Sequence, residues 1–200
     1  MFLSARILML FAALCAVALL TAGPTATLAA PRAVMPPAPT CTASPPATPA
    51  QTEGPYYKAN SPERSSLIEP GMPGTKIIVT GYVLGRDCKP IAGARLDFWQ
   101  ADAQGTYDNA GYRLRGHQST NAAGIYSLET ILPGLYPGRT RHIHVKVQPP
   151  GGPVLTTQLY FPGESHNQTD GIFNRALLVD MKETRAGKVA FFTFVMAIQR

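Results

Sequence analysis

The sequence predicts a mainly β protein, a two-sheet antiparallel β-sandwich with an irregular N-terminal arm, and three features carry that expectation. Short β-branched or alternating runs follow one another beyond Gly74. Gly, Asp and Asn punctuate them at the spacing of antiparallel strands, and no amphipathic helix of ordinary length interrupts the series. Nothing repeats at a fixed period, so neither a solenoid nor a propeller is expected.

The elements follow in chain order. Residues 1–29 read as a signal peptide: Arg6 precedes an apolar run from Ile7 to Leu20, and small residues lead to Ala29 and Ala30. The apolar run, about fourteen residues, is shorter than the roughly 20 that a membrane-spanning helix needs. Residues 30–50 are rich in Pro, Ala and Thr, a composition that buries little and reads as a flexible segment, with order expected to begin near Cys41. The domain proper is assigned to residues 51–200 and begins with the irregular stretch TEGPYYKANSPERSSLIEPGMPG. Strands are then expected over KIIVTGYVL, ARLDFWQA, IYSLETI, HIHVKVQ, TTQLYF, RALLVDM and AFFTFVMAI.

Composition narrows the classes. The chain has 200 residues, 45% hydrophobic and 15% charged, which suits one domain with a sizeable core. The formal charge is +6, and the basic residues are spread singly, so neither a nucleic-acid surface nor, after signal cleavage, a membrane partner is expected. A secreted or periplasmic location follows from the signal peptide. An oxidising compartment favours pairing of Cys41 with Cys88, whereas Cys15 is lost with the leader.

Chemistry concentrates in GRTRHIHVKV, residues 138–147. On a strand, residues i and i+2 leave on one face, so His142 and His144 point together while Ile143 points the other way. Two imidazoles make half a metal site. Tyr107 and Tyr136 each come two residues after a glycine, Gly105 and Gly134, which are read as turn formers. A phenol ionises near pH 10, but a trivalent cation favours its anion strongly enough to remove the proton. Two imidazoles and two phenolates therefore suit Fe(III), and suit zinc or a 2-His-1-carboxylate Fe(II) site poorly.

These residues carry a resemblance to the intradiol ring-cleavage dioxygenases, the protocatechuate and catechol dioxygenase superfamily, and within it to secreted dioxygenase-like members. TEGPYY (52–57), GARLDFWQADAQGTY (93–107), LRGHQSTNAAGIYSLETILPGLYPGRTRHIHVKV (114–147) and LTTQLYFPGE (155–164) succeed one another in the family's order. The resemblance implies non-haem Fe(III) held by Tyr107, Tyr136, His142 and His144. It implies that Arg139 steadies negative charge on the substrate ring, that Gln158 lies near the iron, and that Tyr136 leaves the metal when substrate chelates. The implied reaction inserts O2 between the two hydroxylated carbons of a catechol-type substrate to give a muconate.

Alternatives stand beside several of these assignments. Arg141 competes with Arg139, and on a strand the two share a face with Ile143. Gln158 could be a polar residue at a sheet edge. Trp99 reads as core, His117 and His166 as loop histidines, and Tyr56 and Tyr57 either line the pocket or pack. A non-catalytic prealbumin-like β-sandwich binding module is the rival function, and a copper site is a third. The long helical N-terminal region of well-studied catechol dioxygenases has no counterpart here, which leaves oligomeric state open.

Overall fold

A computed structural model of the protein describes residues 34–41 and 44–198. The expected signal peptide lies outside the described residues. Among the described residues, nine strands build two packed sheets, a β-sandwich: β1 (Lys76–Gly85), β2 (Arg95–Trp99), β3 (Arg115–Ser119), β4 (Ile125–Ile131), β5 (His142–Gln148), β6 (Leu155–Tyr160), β7 (Asp180–Thr184), β8 (Gly187–Phe191) and β9 (Phe194–Met196). One sheet runs β4-β1-β8-β7 with β9 also on β1, and the other runs β3-β2-β5-β6. Pairing is antiparallel except that β8 and β9 both run parallel to β1, a departure from the all-antiparallel expectation.

Alternation explains the core. Leu96 and Phe98 of β2, Ile143, Val145 and Val147 of β5, and Leu159 of β6 turn inward and are fully buried. They meet Ile77, Val79 and Val83 of β1, Leu128 of β4 and Phe194 of β9 in one apolar cluster. At ~25 cal/mol per Å² of apolar surface removed from water, this inner layer supplies the main driving force for folding. The opposite parity of β2, β5 and β6 sends Trp99, His142, His144, Gln158 and Tyr160 to the outer face of the second sheet. All five are buried there as well, so that face is covered rather than solvated.

Several expectations change. RALLVDM is not one strand: Arg175–Leu177 forms a 3-10 turn, its first turn capped by the Asn174 side chain accepting from the Ala176 N–H, and β7 begins only at Asp180. AFFTFVMAI is two pieces, because Phe192 N–H donates to the Thr80 carbonyl between β8 and β9. RGHQS, too polar to read as a strand, is β3, and His117 lies on it opposite Asp97 rather than in a loop. Its edge is covered by residues 61–64, where Arg64 N–H donates to the His117 carbonyl and His117 N–H to the Pro62 carbonyl.

Within the Pro/Ala-rich segment, the described residues carry no helix or strand, yet Thr48 is fixed. Its N–H donates to the Val195 carbonyl and its hydroxyl accepts from the Val195 N–H. Cys41 and Cys88 are joined in a disulfide, with Cα atoms 5.9 Å apart.

Candidate metal centre

Strand register sets the first part of the site. Trp99 of β2 faces His144 of β5, and His144 faces Gln158 of β6; one step along, His142 faces Tyr160. Each of these side chains leaves the same face, so cross-strand neighbours touch. The Trp99 indole stacks on the His144 ring with centroids 4.8 Å apart and planes 7° apart. Trp99 is buried as expected, but against the site and not within the inner core.

Two loops bring the phenols. Asp102 fastens both: its carboxylate accepts from Gln104 and Thr106 N–H, and its carbonyl accepts from Gly134 N–H at 2.7 Å. The loops cross so closely that a Cβ on Gly105 would lie 1.9 Å from the Leu135 carbonyl oxygen, and one on Gly134 would lie 2.3 Å from Gly105 N. Glycine at both positions lets Tyr107 and Tyr136 come to ring centroids 5.8 Å apart. Tyr107 is buried under Tyr56, whose ring stacks on it at 4.3 Å and 13°. Arg115 holds Tyr56 in place by donating to its carbonyl at 2.6 Å, and it also donates to the Asp108 carbonyl. Tyr57 packs on Trp99 at 4.9 Å.

The tetrapeptide Tyr136-Pro137-Gly138-Arg139 is a reverse turn. Arg139 N–H donates to the Tyr136 carbonyl, and Gly138 takes φ 79° after a proline, the arrangement a type II turn requires. Because β5 starts only at His142, strand parity does not apply to Arg139 and Arg141, and they do not share a face. Arg139 folds back on the site, donating to the Tyr136 hydroxyl at 3.2 Å and to Gln158 Oε1 at 2.5 Å. Arg141 turns away to Glu164 at 2.8 Å and to the Pro133 carbonyl.

The four expected ligands therefore meet. His142 Nε2 lies 3.2 Å from His144 Nε2 and 3.5 Å from the Tyr107 hydroxyl, and the Tyr136 ring centroid is 5.6 Å from that of His142. His142 Nδ1 donates to the Thr140 carbonyl at 2.6 Å, which leaves its Nε2 with a lone pair. His144 Nδ1 is buried without a hydrogen-bond partner.

Burial, with Arg139 nearby, pushes the His142 imidazole down to about 4, and burial and His142 push His144 well below the usual histidine range. Both rings are thus neutral donors at neutral pH. Burial, reinforced by Tyr136, raises the Tyr107 phenol, so without a cation that phenol keeps its proton. Among the described residues no three His, Cys, Asp or Glu side chains gather as a metal set, and the two phenols are the further donors beside the imidazole pair. Two facing ring nitrogens, an orphaned third and two adjacent phenols fit a hard cation.

Residues that sequence reasoning missed complete the site. Tyr160, two positions from Gln158 and so on its face, donates to Gln51 Oε1 at 2.9 Å and accepts from Arg139 at 3.4 Å; burial pushes it up to about 12. Strand parity alone could have found it. Asp170 accepts from Arg139 Nε at 2.9 Å, and no local signal marks it. His166 is exposed on a 3-10 turn, away from the cluster.

Comparisons with known proteins converge. The Dioxygenase family profile matches residues 52–197. A hydroxyquinol 1,2-dioxygenase of Rhizobium sp. is 29% identical over 64% of this chain and 53% of its own length. A protocatechuate 3,4-dioxygenase beta chain of Burkholderia cepacia is 34% identical over 54% of each chain. The chain spans about half the length of the curated relatives it matches. Among solved structures, the dioxygenase domain of a dioxygenase carbohydrate-binding protein fusion from Streptomyces sp. SirexAA-E superposes with a TM-score of 0.75 at 56% identity, covering 77% of this chain and all of that one. An intradiol ring-cleavage dioxygenase from Tetranychus urticae gives 0.70 at 25% identity, covering 76% of this chain and 94% of that one.

Proposed function

The chain belongs to the intradiol ring-cleavage dioxygenase superfamily, and from that premise we propose that it cleaves a catechol-type substrate with O2 at a non-haem Fe(III) centre. The observation that carries this reading is the convergence of two buried neutral imidazoles and two phenols on one covered sheet face, with a guanidinium bonded to one phenol. Tyr107, Tyr136, His142 and His144 would hold the ion. When bound there, Fe(III) would act as a Lewis acid that favours and orients the doubly ionised catechol.

The chain's own side chains divide the remaining work. Tyr136, less buried than Tyr107, is the side chain that, once ionised by the cation, could take up a substrate proton as a phenolate and become the neutral phenol. Arg139 is the donor for negative charge developing on the ring. Its Nη1 already meets the Tyr136 hydroxyl at 3.2 Å, and an oxyanion taking over that position would meet a fixed guanidinium. Gln158 sets that guanidinium by accepting from it, and its own amide donates to the Thr52 carbonyl at 3.0 Å. Tyr56 and Trp99 cover Tyr107 and His144 and exclude water from them. Both oxygen atoms end in the muconate, so no reductant is required.

The location we infer is outside the cytoplasm. The Cys41–Cys88 disulfide supports it, together with the leader-like sequence of residues 1–29. Oxygen uptake by iron-loaded protein on catechol, hydroxyquinol and protocatechuate, with product identification, tests the activity. One O2 consumed per ring and a muconate product are expected; a semialdehyde product, or no uptake with any of the three, would overturn it.

A further inference from the structure

Asp170 lies in the segment after β6, its side chain 1% exposed. One of its oxygens, Oδ2, accepts from two successive residues, Arg139 Nε and Thr140 N–H, both at 2.9 Å. The other, Oδ1, accepts from Ile172 N–H at 3.0 Å. Thr140 is the residue whose carbonyl receives the His142 Nδ1 proton at 2.6 Å. A single carboxylate oxygen thus grips both the residue that presents the guanidinium and the residue that fixes the ligand imidazole.

We propose that Asp170 is a positioning residue that holds the Arg139 guanidinium and the His142 ring in one fixed relation, so that donor and ligand are set by the same anchor. The Arg139 side chain ends in a rigid fork on a flexible stem. With Nε held by Asp170, its Nη1 and Nη2 are aimed at Tyr136 and Gln158; without that hold the stem is free to rotate them away. Charge-assisted bonds of this kind are about twice as strong as neutral ones, which suits an anchor shared by two groups. The neighbouring pair in the same segment does a different job. Glu164 binds Arg141, which touches none of the four ligands among its hydrogen-bond partners, so that pair supplies a matched control.

The kinetic arm of the proposal rests on the dioxygenase reading, whereas its imidazole arm does not. The test uses full-length protein and Asp170→Asn, with Glu164→Gln as control. In the metal-free protein the buried His142 Nδ1 proton should give a slowly exchanging, downfield NMR signal. That signal should shift or broaden in Asp170→Asn and stay in place in Glu164→Gln. In iron-loaded protein, Asp170→Asn should retain the metal and lose about 10- to 100-fold in kcat with KM changed less than about threefold, since small misplacements of a reacting group cost this much. Should Asp170→Asn fail to fold, Asp170→Glu decides by the same two readouts, because its extra methylene prevents one oxygen from meeting both donors at 2.9 Å. A wild-type His142 signal together with wild-type kcat in the folded variant would overturn the proposal and leave Asp170 a stability residue. A wild type that cleaves no catechol would defeat the dioxygenase reading instead, with the NMR comparison still deciding the anchor.

Discussion

The Nε2 atoms of His142 and His144 face each other across 3.2 Å, with the Nδ1 proton of His142 committed to the Thr140 carbonyl. Two ring nitrogens so placed repel unless a proton or a cation lies between them. In the metal-free protein the pair is buried, and burial is the main reason that neither ring takes up a further proton at neutral pH.

Acid should therefore destabilise the metal-free protein. His142 has its folded-state pKa lowered from 6.5 to about 4, so between those values the unfolded chain binds more protons than the folded one. The contribution is fully present above pH 6.5 and is lost as pH falls through the folded value, an order of about 3 kcal/mol by linkage. His144 shifts in the same direction. Denaturant midpoints measured from pH 7.5 to 4 check this, and a flat profile would show that the imidazoles are solvated.

Gly134→Ala should separate the two phenol-bearing loops. The three atoms nearest the added Cβ are all backbone, Gly105 N at 2.3 Å and the Ala103 and Asp102 carbonyl oxygens at 2.6 and 2.7 Å, so the closest clashes cannot be relieved by a side chain swinging aside. A loss of about 1–3 kcal/mol is expected, as for other overpacked sites, with weaker metal retention. Thermal melts with metal analysis of the purified variant measure both. Unchanged values would mean that the crossing is loose.

Arg139→Ala should keep iron and lose about 10²–10³ in turnover, the usual cost of removing one charge-stabilising donor. Arg141→Ala breaks the bonds to Glu164 and the Pro133 carbonyl and should cost stability with far less effect on rate. Steady-state kinetics on both variants would reverse the assignment if turnover collapsed only in Arg141→Ala.

Much of this was legible because the outer face of the second sheet obeys simple alternation. HIHVKV is enough to put two imidazoles on one face and three apolar residues in the core, and TTQLYF is enough to put Gln158 beside them. The same rule reaches Tyr160. It fails for β3, whose Arg115, His117 and Gln118 look soluble although residues 61–64 cover the strand's free edge. It fails again at Arg139, where a Pro-Gly turn and not a strand sets direction. Asp170 was out of reach for a different reason: its meaning lies in a contact across 31 residues, and neither composition nor spacing encodes that contact.

Iron content of the purified protein, read together with its visible spectrum, decides whether the two phenols and two imidazoles form an Fe(III) centre. Tyr107 and Tyr136 bound as phenolates to Fe(III) predict close to one iron per chain and a broad visible charge-transfer band. Protein that stays colourless and iron-free after exposure to Fe(III) would contradict the account and leave a β-sandwich binding module in its place.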